Sequence, residues 1–225
     1  MKQELMDTSV FKTDLTSGKR DNKEWLCKKF SLDPSIPLFT FIGRLVSEKG
    51  ADLLPAVVYK ALLKKDVNII ILGEGKEEIA SELRSLKIHF NDNYAYEIGF
   101  SESMAHQLYA GSDFLLMPSR VEPCGLNQMY ALRYGTIPIV RRTGGLNDTV
   151  FDIGNGGFGI CHIQASVKDV CDSIERAKIL FADKNELARI RKKCMQIDHS
   201  WDKSAQEYLT LYKSLTHKIC SVKKF

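Results

Sequence analysis

The chain has 225 residues, of which 44% are hydrophobic, so it is long enough to bury a sizeable core in one large domain. Its formal net charge of +4 comes from 32 basic and 28 acidic residues, too small an excess for a dedicated nucleic-acid binder. No apolar run approaches the roughly 18 residues of a membrane span, and residues 1–15 lack the apolar segment of a signal peptide. We therefore expect a soluble protein with neither a nucleic-acid nor a membrane partner.

The cysteines and histidines give no sign of a metal or disulfide framework. The six cysteines form no CxxC pair, and the five histidines form no HxxH or HxxxH pair. Such scattered cysteines are typical of free thiols in a reducing compartment. The sequence predicts no metal site and a cytoplasmic location, or a plastid location if the source is plant-like.

Along the chain, short apolar runs alternate with amphipathic segments. Residues 1–21 are polar and without a sustained period, which predicts an irregular lead-in before a first helix that begins near Asn22. The runs that follow are continuous and rich in β-branched residues, as in strands buried on both faces of a parallel sheet. The predicted strands are 38–43, 67–73, 94–100, 114–118, 136–141 and 158–162.

Segments with a helical period lie between these strands, at 51–65, 76–86, 102–111 and 126–134. The alternation predicts an α/β fold with a doubly wound, mostly parallel sheet. Three more helical patterns follow residue 162 and predict a helical carboxyl-terminal tail packed on the sheet. We expect a single domain over residues 22–217, followed by a basic tail at 218–225.

The first loop with chemical interest is GRLVSEKG, residues 43–50. It follows the first predicted strand, at the edge where doubly wound sheets bind ligands. Arg44 and Lys49 could converge there on one anionic group, such as a diphosphate that gains charge in a transition state. The alternative is a solvated loop whose cations pair with Glu48. The spacing alone does not decide between the two.

The next two loops carry weaker signals. The segment LGEGKEE, residues 72–78, resembles a dinucleotide fingerprint, but Glu78 stands where the third glycine belongs. We interpret it as a tight strand-to-helix turn, which argues against a nicotinamide-dependent oxidoreductase. Phe100 follows the third strand and precedes Ser101, a candidate N-cap. Its ring either stacks on a nucleobase or packs in the core.

The fourth loop, in SRVEPCGLNQMYALRYG, places Glu122, Cys124 and Gly125 just before a predicted helix. The unpaired N–H groups and the positive dipole end of a helix start suit a phosphate. Glu122 could accept hydrogen bonds from sugar hydroxyls. A nucleophilic role for Cys124 is disfavoured, because no histidine lies nearby in the sequence.

Three segments together, GRLVSEKG, residues 110–150 and HSWDKSAQEYLTLY, closely resemble the bacterial glycogen synthases and plant starch synthases. The resemblance covers about residues 36–215 and corresponds to the carboxyl-terminal Rossmann-like domain of these two-domain, GT-B type glycosyltransferases. It implies a retaining hexosyltransferase that moves glucose from ADP-glucose to the non-reducing end of an α-1,4-glucan. It also implies that the reaction needs no metal or other cofactor.

The resemblance implies roles for individual residues. Arg44 and Lys49 match the pair that binds the diphosphate and stabilises departing ADP, and Glu122 matches the glutamate beside the donor glucose; these are the implied catalytic residues. Phe100 falls where the family places an aromatic ring that stacks on adenine. The other implied contacts to the nucleotide sugar are Gly43, Cys124, Gly125, Leu126 and Asn127.

Some features depart from the family pattern. Tyr130 stands where many related retaining transferases carry a second glutamate, as is general in the glycogen synthase branch, and Asn127 replaces a common threonine. The family's amino-terminal domain, with its KxGGL motif, has no counterpart in these 225 residues. Because catalysis in that architecture needs the cleft between two domains, we expect the chain to be inactive alone. The alternative is a solitary ADP- or ADP-glucose-binding module without catalysis.

Overall fold

The computed structural model describes residues 15–99 and 101–222. Within them lies a six-stranded sheet in which every neighbouring pair of strands is parallel. Every residue of its second and fourth strands is buried, as expected where helices cover both faces. The strands are β1 (Leu38–Ile42), β2 (Asn68–Gly73), β3 (Tyr94–Ile98), β4 (Phe114–Met117), β5 (Ile137–Arg141) and β6 (Ile160–His162).

The strand order across the sheet is β3-β2-β1-β4-β5-β6. The chain builds outward from β1 in one direction, returns to place β4 beside β1, and then builds outward in the other direction. The carboxyl ends of β1 and β4 therefore lie at the point where the order reverses, which is where open α/β sheets bind ligands. The predicted fold class, α/β with a doubly wound parallel sheet, is confirmed.

Helices connect the strands at nearly the predicted positions. Ser101 is an N-cap as predicted, because its hydroxyl accepts a hydrogen bond from the Met104 N–H at 3.2 Å. Short 3-10 turns at Ser47–Lys49 and Ala51–Leu53 precede the helix that follows β1. The helices are α1 (Leu15–Phe30), α2 (Leu54–Leu62), α3 (Glu77–Leu86), α4 (Glu102–Gly111), α5 (Asn127–Arg133), α6 (Gly144–Thr149), α7 (Val167–Ala182), α8 (Lys184–Met195) and α9 (Trp201–Val222).

The predicted irregular lead-in over residues 1–21 is wrong in its last part, because α1 begins at Leu15 and not near Asn22. The polar pattern misled because Lys19 and Lys23 point into the protein, with 3% and 7% of their surface exposed. They lie four residues apart, as Cys27 does from Lys23, and so share one helical face with a buried core residue. Residues 1–14 lie outside the described part.

A buried cluster of charges at the amino-terminal edge of the sheet explains the burial of Lys23, while Lys19 donates to the carbonyl of Tyr109 at 3.0 Å. Asp113, which is 2% exposed, receives the Lys23 Nζ at 2.8 Å, the Arg191 guanidinium, and the backbone N–H of Leu38 at 2.8 Å. Burial alone would raise the pKa of Asp113, but Arg191 and Lys23 hold it below its usual value. The carboxylate thereby ties α1, α8 and β1 together.

The chain divides into two compact units, residues up to Met195 and residues from Gln196 onward. The second contains α9, whose exposed apolar side chains include Trp201, Tyr208 and Tyr212. The helical tail is confirmed in α7, α8 and α9, and α7 and α8 pack against β6 and β5 as predicted, while packing of α9 on the sheet stays a prediction. So do the domain bounds 22–217 and 218–225. Among the described helices, none is long and apolar enough to cross a membrane.

Replacing Asp113 with Asn should destabilise the fold, because it leaves Lys23 and Arg191 as buried cations without a counter-charge. We expect the free energy of unfolding to fall by about 3–5 kcal/mol at neutral pH, measured by urea denaturation. Because the pKa of Asp113 is depressed in the folded protein, its stabilisation is present above the unfolded pKa of about 3.9 and is lost as the pH falls through the folded value. The difference between the two proteins should therefore shrink in acid.

The matched control is Asp172→Asn, which removes the same charge from the exposed Lys168–Asp172 pair on α7. This variant should unfold like the parent protein, because exposed ion pairs contribute little. Equal losses in both variants would contradict the role assigned to Asp113.

Candidate functional site

The loops after β1 and β4 meet at the carboxyl-terminal edge of the sheet. The Nζ of Lys49, in the first loop, lies 2.6 Å from Oε2 of Glu122, in the second. The hydroxyl of Ser119 also donates to Oε2, at 3.2 Å. Glu122 is only 6% exposed, so its charge is held among these partners. Lys49 thus pairs with Glu122 and not with neighbouring Glu48, the alternative that the sequence had left open.

The Glu122 carboxylate keeps acceptor capacity for a ligand. The hydrogen bonds that described side chains make to it go to Oε2. A carboxylate has about four lone-pair positions on its two oxygens, so Oε1 can accept from a further donor. The site therefore combines a fixed carboxylate with an adjacent ammonium group.

Arg44 lies in the same loop as Lys49 but is exposed. Among the described residues, its side chain has no hydrogen bond or ion pair. The backbone that carries it is well fixed, because the N–H of Gly43 donates to Leu72 at 3.0 Å and that of Leu45 donates to Glu74 at 2.7 Å. The guanidinium is therefore available to an anion at the edge of the sheet.

The glycines of the LGEGKEE segment allow the loop after β2 to pack closely against the loop after β1. A Cβ on Gly73 would lie 2.3 Å from the carbonyl oxygen of Gly43, and one on Gly75 would lie 2.6 Å from that of Leu45. Larger residues would push the two loops apart. The segment forms the tight strand-to-helix turn predicted from the sequence, and α3 begins within it at Glu77.

A pocket of about 330 Å³ opens beside Arg44, between the loops after β1, β2 and β3 and the helices α4 and α5. The lining includes the rings of His106, Tyr109 and Tyr130, which pack edge-on or tilted against one another. Outside this lining, the hydroxyl of Tyr134 lies 3.1 Å from His106 Nδ1. Burial raises the pKa of Tyr109, with a further contribution from Tyr130, so Tyr109 stays neutral at physiological pH. The pocket is lined by Ile42, Gly43, Arg44, Leu72, Gly73, Glu74, Gly99, Ser101, Glu102, Ala105, His106, Tyr109, Asn127 and Tyr130.

The EPCGL loop is shaped by a residue that the sequence analysis missed. Gln128 is fully buried, and its amide nitrogen donates to the carbonyls of Cys124 at 3.2 Å and Gly125 at 2.9 Å. Gly125 has a φ of +79°, and a Cβ there would lie 2.5 Å from the Gln128 side chain. Cys124 and Leu126 are left exposed at the tip of the loop.

The start of α6 packs against the same loop. The N–H of Gly145 donates to the carbonyl of Glu122 at 3.0 Å. A Cβ on Gly144 would lie 2.1 Å from that carbonyl oxygen, and one on Gly145 would lie 2.2 Å from the carbonyl oxygen of Cys124. The paired glycines are therefore required by close contact between two backbones.

Residues 23–193 match the family model described as glycosyl transferases group 1. The chain belongs to this family. It is also 54% identical over 214 residues to a glycogen synthase of Flavobacterium johnsoniae, covering 94% of this chain and 45% of that protein. A glycogen synthase of Bacillus cereus is 41% identical over 213 residues, covering 92% of this chain and 44% of its own length. The chain thus spans somewhat less than half the length of these relatives.

Among solved structures, the catalytic domain of starch synthase IV from Arabidopsis thaliana, bound to ADP and acarbose, is similar to this chain. The TM-score is 0.80 at 36% identity, over 89% of this chain and 43% of that one. The resemblance of this group 1 glycosyl transferase to glycogen and starch synthases, predicted from sequence motifs, is confirmed.

The structure separates the predicted site residues into two neighbouring groups. Gly43, Arg44 and Asn127 line the pocket. Lys49 and Glu122 form the ion pair outside this lining, with Lys49 in the loop that also carries Arg44 and Glu122 five residues before Asn127. Phe100 lies outside the described residues, so its stacking role stays a prediction.

The contribution of Asn127 differs from a simple phosphate contact. Its amide nitrogen donates to the carbonyl of Ile42 at 2.7 Å, which ties the start of α5 to the end of β1. The nucleotide-sugar contacts predicted for Asn127, Cys124, Gly125 and Leu126 stay predictions. In the described part of the chain, no three His, Cys, Asp or Glu residues cluster as a metal site would require.

Replacing Gly144 with Ala should destabilise the site, because the new Cβ would displace the backbone of residues 122–124. Gly144 has a φ of +44° and Gly156 a φ of +73°, but space is open around Gly156. Gly156→Ala therefore measures the cost of the backbone conformation alone, about 1–2 kcal/mol. We expect Gly144→Ala to lower the free energy of unfolding by about 1–3 kcal/mol more, measured by urea denaturation. Equal losses would show that the two loops do not make this close contact.

Proposed function

We propose that this chain is the donor-binding half of a retaining glucosyltransferase that moves glucose from ADP-glucose to the non-reducing end of an α-1,4-glucan. The observation that carries the proposal is the Lys49–Glu122 ion pair beside the unpaired Arg44, in a chain that is 54% identical to a glycogen synthase. These groups supply two cations for a diphosphate and one carboxylate for a sugar.

Arg44 and Lys49 suit a leaving diphosphate. An ammonium group has three N–H donors, so Lys49 can keep its bond to Glu122 and still donate to a phosphate oxygen. The exposed Arg44 can offer two parallel N–H groups to the same anion. Because Glu122 already holds Lys49 in place, little reorganisation is needed when the departing ADP gains charge.

Glu122 suits the donor glucose. Its side chain is fixed by Lys49 and Ser119, while Oε1 remains available to a sugar hydroxyl. In this role Glu122 orients the glucose against the two cations, so that the bond between the anomeric carbon and the phosphate oxygen lies beside the charges that stabilise its cleavage.

The pocket beside Arg44 suits the nucleoside. Its volume of about 330 Å³ is at the small end of ligand sites, and glycine and aromatic walls accommodate a flat base. Gly99 and Ser101 line the pocket, and the proposed stacking of Phe100 on the base rests on the resemblance to glycogen and starch synthases. The preference for adenine over uracil rests on the resemblance to glycogen and starch synthases.

The proposal includes a second half, since the chain spans about 45% of the length of its Flavobacterium relative. An acceptor glucan and a water-free reaction cleft require surfaces on both sides of the donor. We propose that an amino-terminal domain, as the greater length of the relatives allows, supplies the other side, that the protein acts in the cytoplasm, and that this chain alone binds ADP without transferring glucose. No cofactor takes part beyond the nucleotide-sugar donor.

Titrating ADP into the purified chain by calorimetry tests whether Arg44 and Lys49 bind the diphosphate. Each charge-assisted hydrogen bond contributes about 1.5–3 kcal/mol, so the double variant Arg44→Ala, Lys49→Ala should bind ADP about a hundredfold more weakly or worse. The matched control, Arg189→Ala with Lys64→Ala, removes one arginine and one lysine from exposed ion pairs elsewhere and should bind ADP like the parent. Equal affinity in parent and double variant would contradict the assigned roles.

In a complete two-domain protein, Arg44→Ala or Lys49→Ala should each lower turnover roughly a hundredfold, because each removes a preorganised charge from the transition state. The measurement is incorporation of labelled glucose from ADP-glucose into glycogen. The chain alone should incorporate none. Incorporation by the chain alone would show that it needs no second domain.

A further inference from the structure

Arg120 grips the loop that carries Lys49 on both sides of that lysine. Its guanidinium forms two bonds with the Asp52 carboxylate, at 2.5 and 2.9 Å. The nitrogen at 2.5 Å also donates to the carbonyl of Ser47, at 2.9 Å. Ser47 and Asp52 belong to the two short turns that precede α2, and Lys49 lies between them.

The backbones of the two loops are joined at the same place. The N–H groups of Arg120 and Val121 both donate to the carbonyl of Glu48, at 2.8 and 3.1 Å. Gly50, with a φ of +68°, packs so closely that a Cβ would lie 2.3 Å from the carbonyl oxygen of Pro118. The residues on either side of Lys49 are therefore held against the segment that leads to Glu122.

The segment around Arg120 is held in turn by the end of β5. Arg141 donates to the carbonyl of Arg120 at 2.9 Å and to that of Ser119 at 3.4 Å. The hydroxyl of Thr143 donates to the carbonyl of Arg120 at 3.4 Å. Arg120 thus joins a loop supported by the sheet to the loop that carries Lys49.

The charge of Arg120 is paired with that of Asp52. Asp52 neutralises it in a two-bond geometry that fixes the direction of the guanidinium plane. Lys49, in contrast, carries its charge at the end of a flexible four-carbon stem, and its position depends on the backbone beneath it. The Arg120–Asp52 pair therefore fixes the backbone beneath Lys49, which the flexible lysine side chain cannot do by itself.

We propose that Arg120 and Asp52 are positioning residues, which hold Lys49 against Glu122 and so set the place of the ammonium group in the anion site. The inference rests on the proposed function for its effect on ADP. It makes two predictions that a direct role of the Arg120 charge would not make: loss of Asp52 weakens ADP binding although it removes a negative charge, and the effect of Arg120 passes through Lys49.

The first experiment measures ADP affinity by calorimetry for the parent chain and the variants Arg120→Ala, Asp52→Ala, Lys49→Ala and Lys49→Ala with Arg120→Ala. We expect Arg120→Ala and Asp52→Ala each to weaken binding about tenfold, as for a misplaced group. Adding Arg120→Ala to Lys49→Ala should cause no further loss. Arg120→Lys should restore only part of the affinity, because lysine keeps the charge but not the two-bond geometry.

The second experiment reports on the position of Lys49 without a ligand. The Lys49 side chain is only 27% exposed, and its ammonium group is bonded to Glu122, which protects it from acylation. Brief treatment with acetic anhydride, followed by peptide mass spectrometry, should show several-fold faster labelling of Lys49 in Arg120→Ala and Asp52→Ala. Labelling of Lys64, on an unrelated exposed pair, serves as the internal reference.

The control for both experiments is Arg189→Ala, which breaks a two-bond arginine–glutamate pair on the exposed face of α8 and should change neither readout. Unchanged labelling of Lys49 in both variants would overturn the positioning role. Tighter or unchanged ADP binding in Asp52→Ala, or a full additional loss in the double variant, would also overturn it. Faster labelling of Lys49 in these variants, together with unchanged ADP affinity in Lys49→Ala, would uphold the positioning of Lys49. It would refute the proposed role of Lys49 in binding ADP.

Discussion

Glu122 is held by loops from three strands, and the site depends on this convergence. Its carboxylate receives Lys49 from the loop after β1 and Ser119 from the loop after β4, while its carbonyl receives the N–H of Gly145 after β5. A carboxylate with 6% exposure would be costly without such partners. The loops can meet only because β1 and β4 are neighbours and β5 follows β4 in the sheet.

The two edges of the sheet use charge in different ways. At the amino-terminal edge, Asp113 is buried and its charge is met by Lys23 and Arg191, so the cluster ties helices to the sheet. At the carboxyl-terminal edge, Lys49 is partly exposed and Arg44 is exposed. Buried charges that are paired fix a structure, whereas accessible charges at a strand end can bind an anion.

The close backbone contacts explain why this edge is rich in glycine. Gly73 and Gly75 bring the loop after β2 against the loop that carries Arg44, and Gly144 and Gly145 bring the start of α6 against residues 122–124. At each of these positions a Cβ would meet a backbone carbonyl oxygen. The glycine pairs therefore do not form a dinucleotide fingerprint; they allow separate loops to pack without side chains between them.

The sequence by itself determined the order of strands and helices along the chain, because continuous apolar runs and amphipathic periods are local patterns. It also contains the motifs that identified the family, and it made Arg44, Lys49 and Glu122 candidate site residues. It did not show that Lys49 pairs with Glu122, 73 residues away, and not with adjacent Glu48. It also missed that α1 begins at Leu15, because the first turns of this helix bury Lys19 and so lack an apolar period. Only the tertiary structure decided these points and the contacts of Gln128 and Arg120. Each depends on which segments the fold brings together, and no local sequence pattern encodes the order of the strands across the sheet.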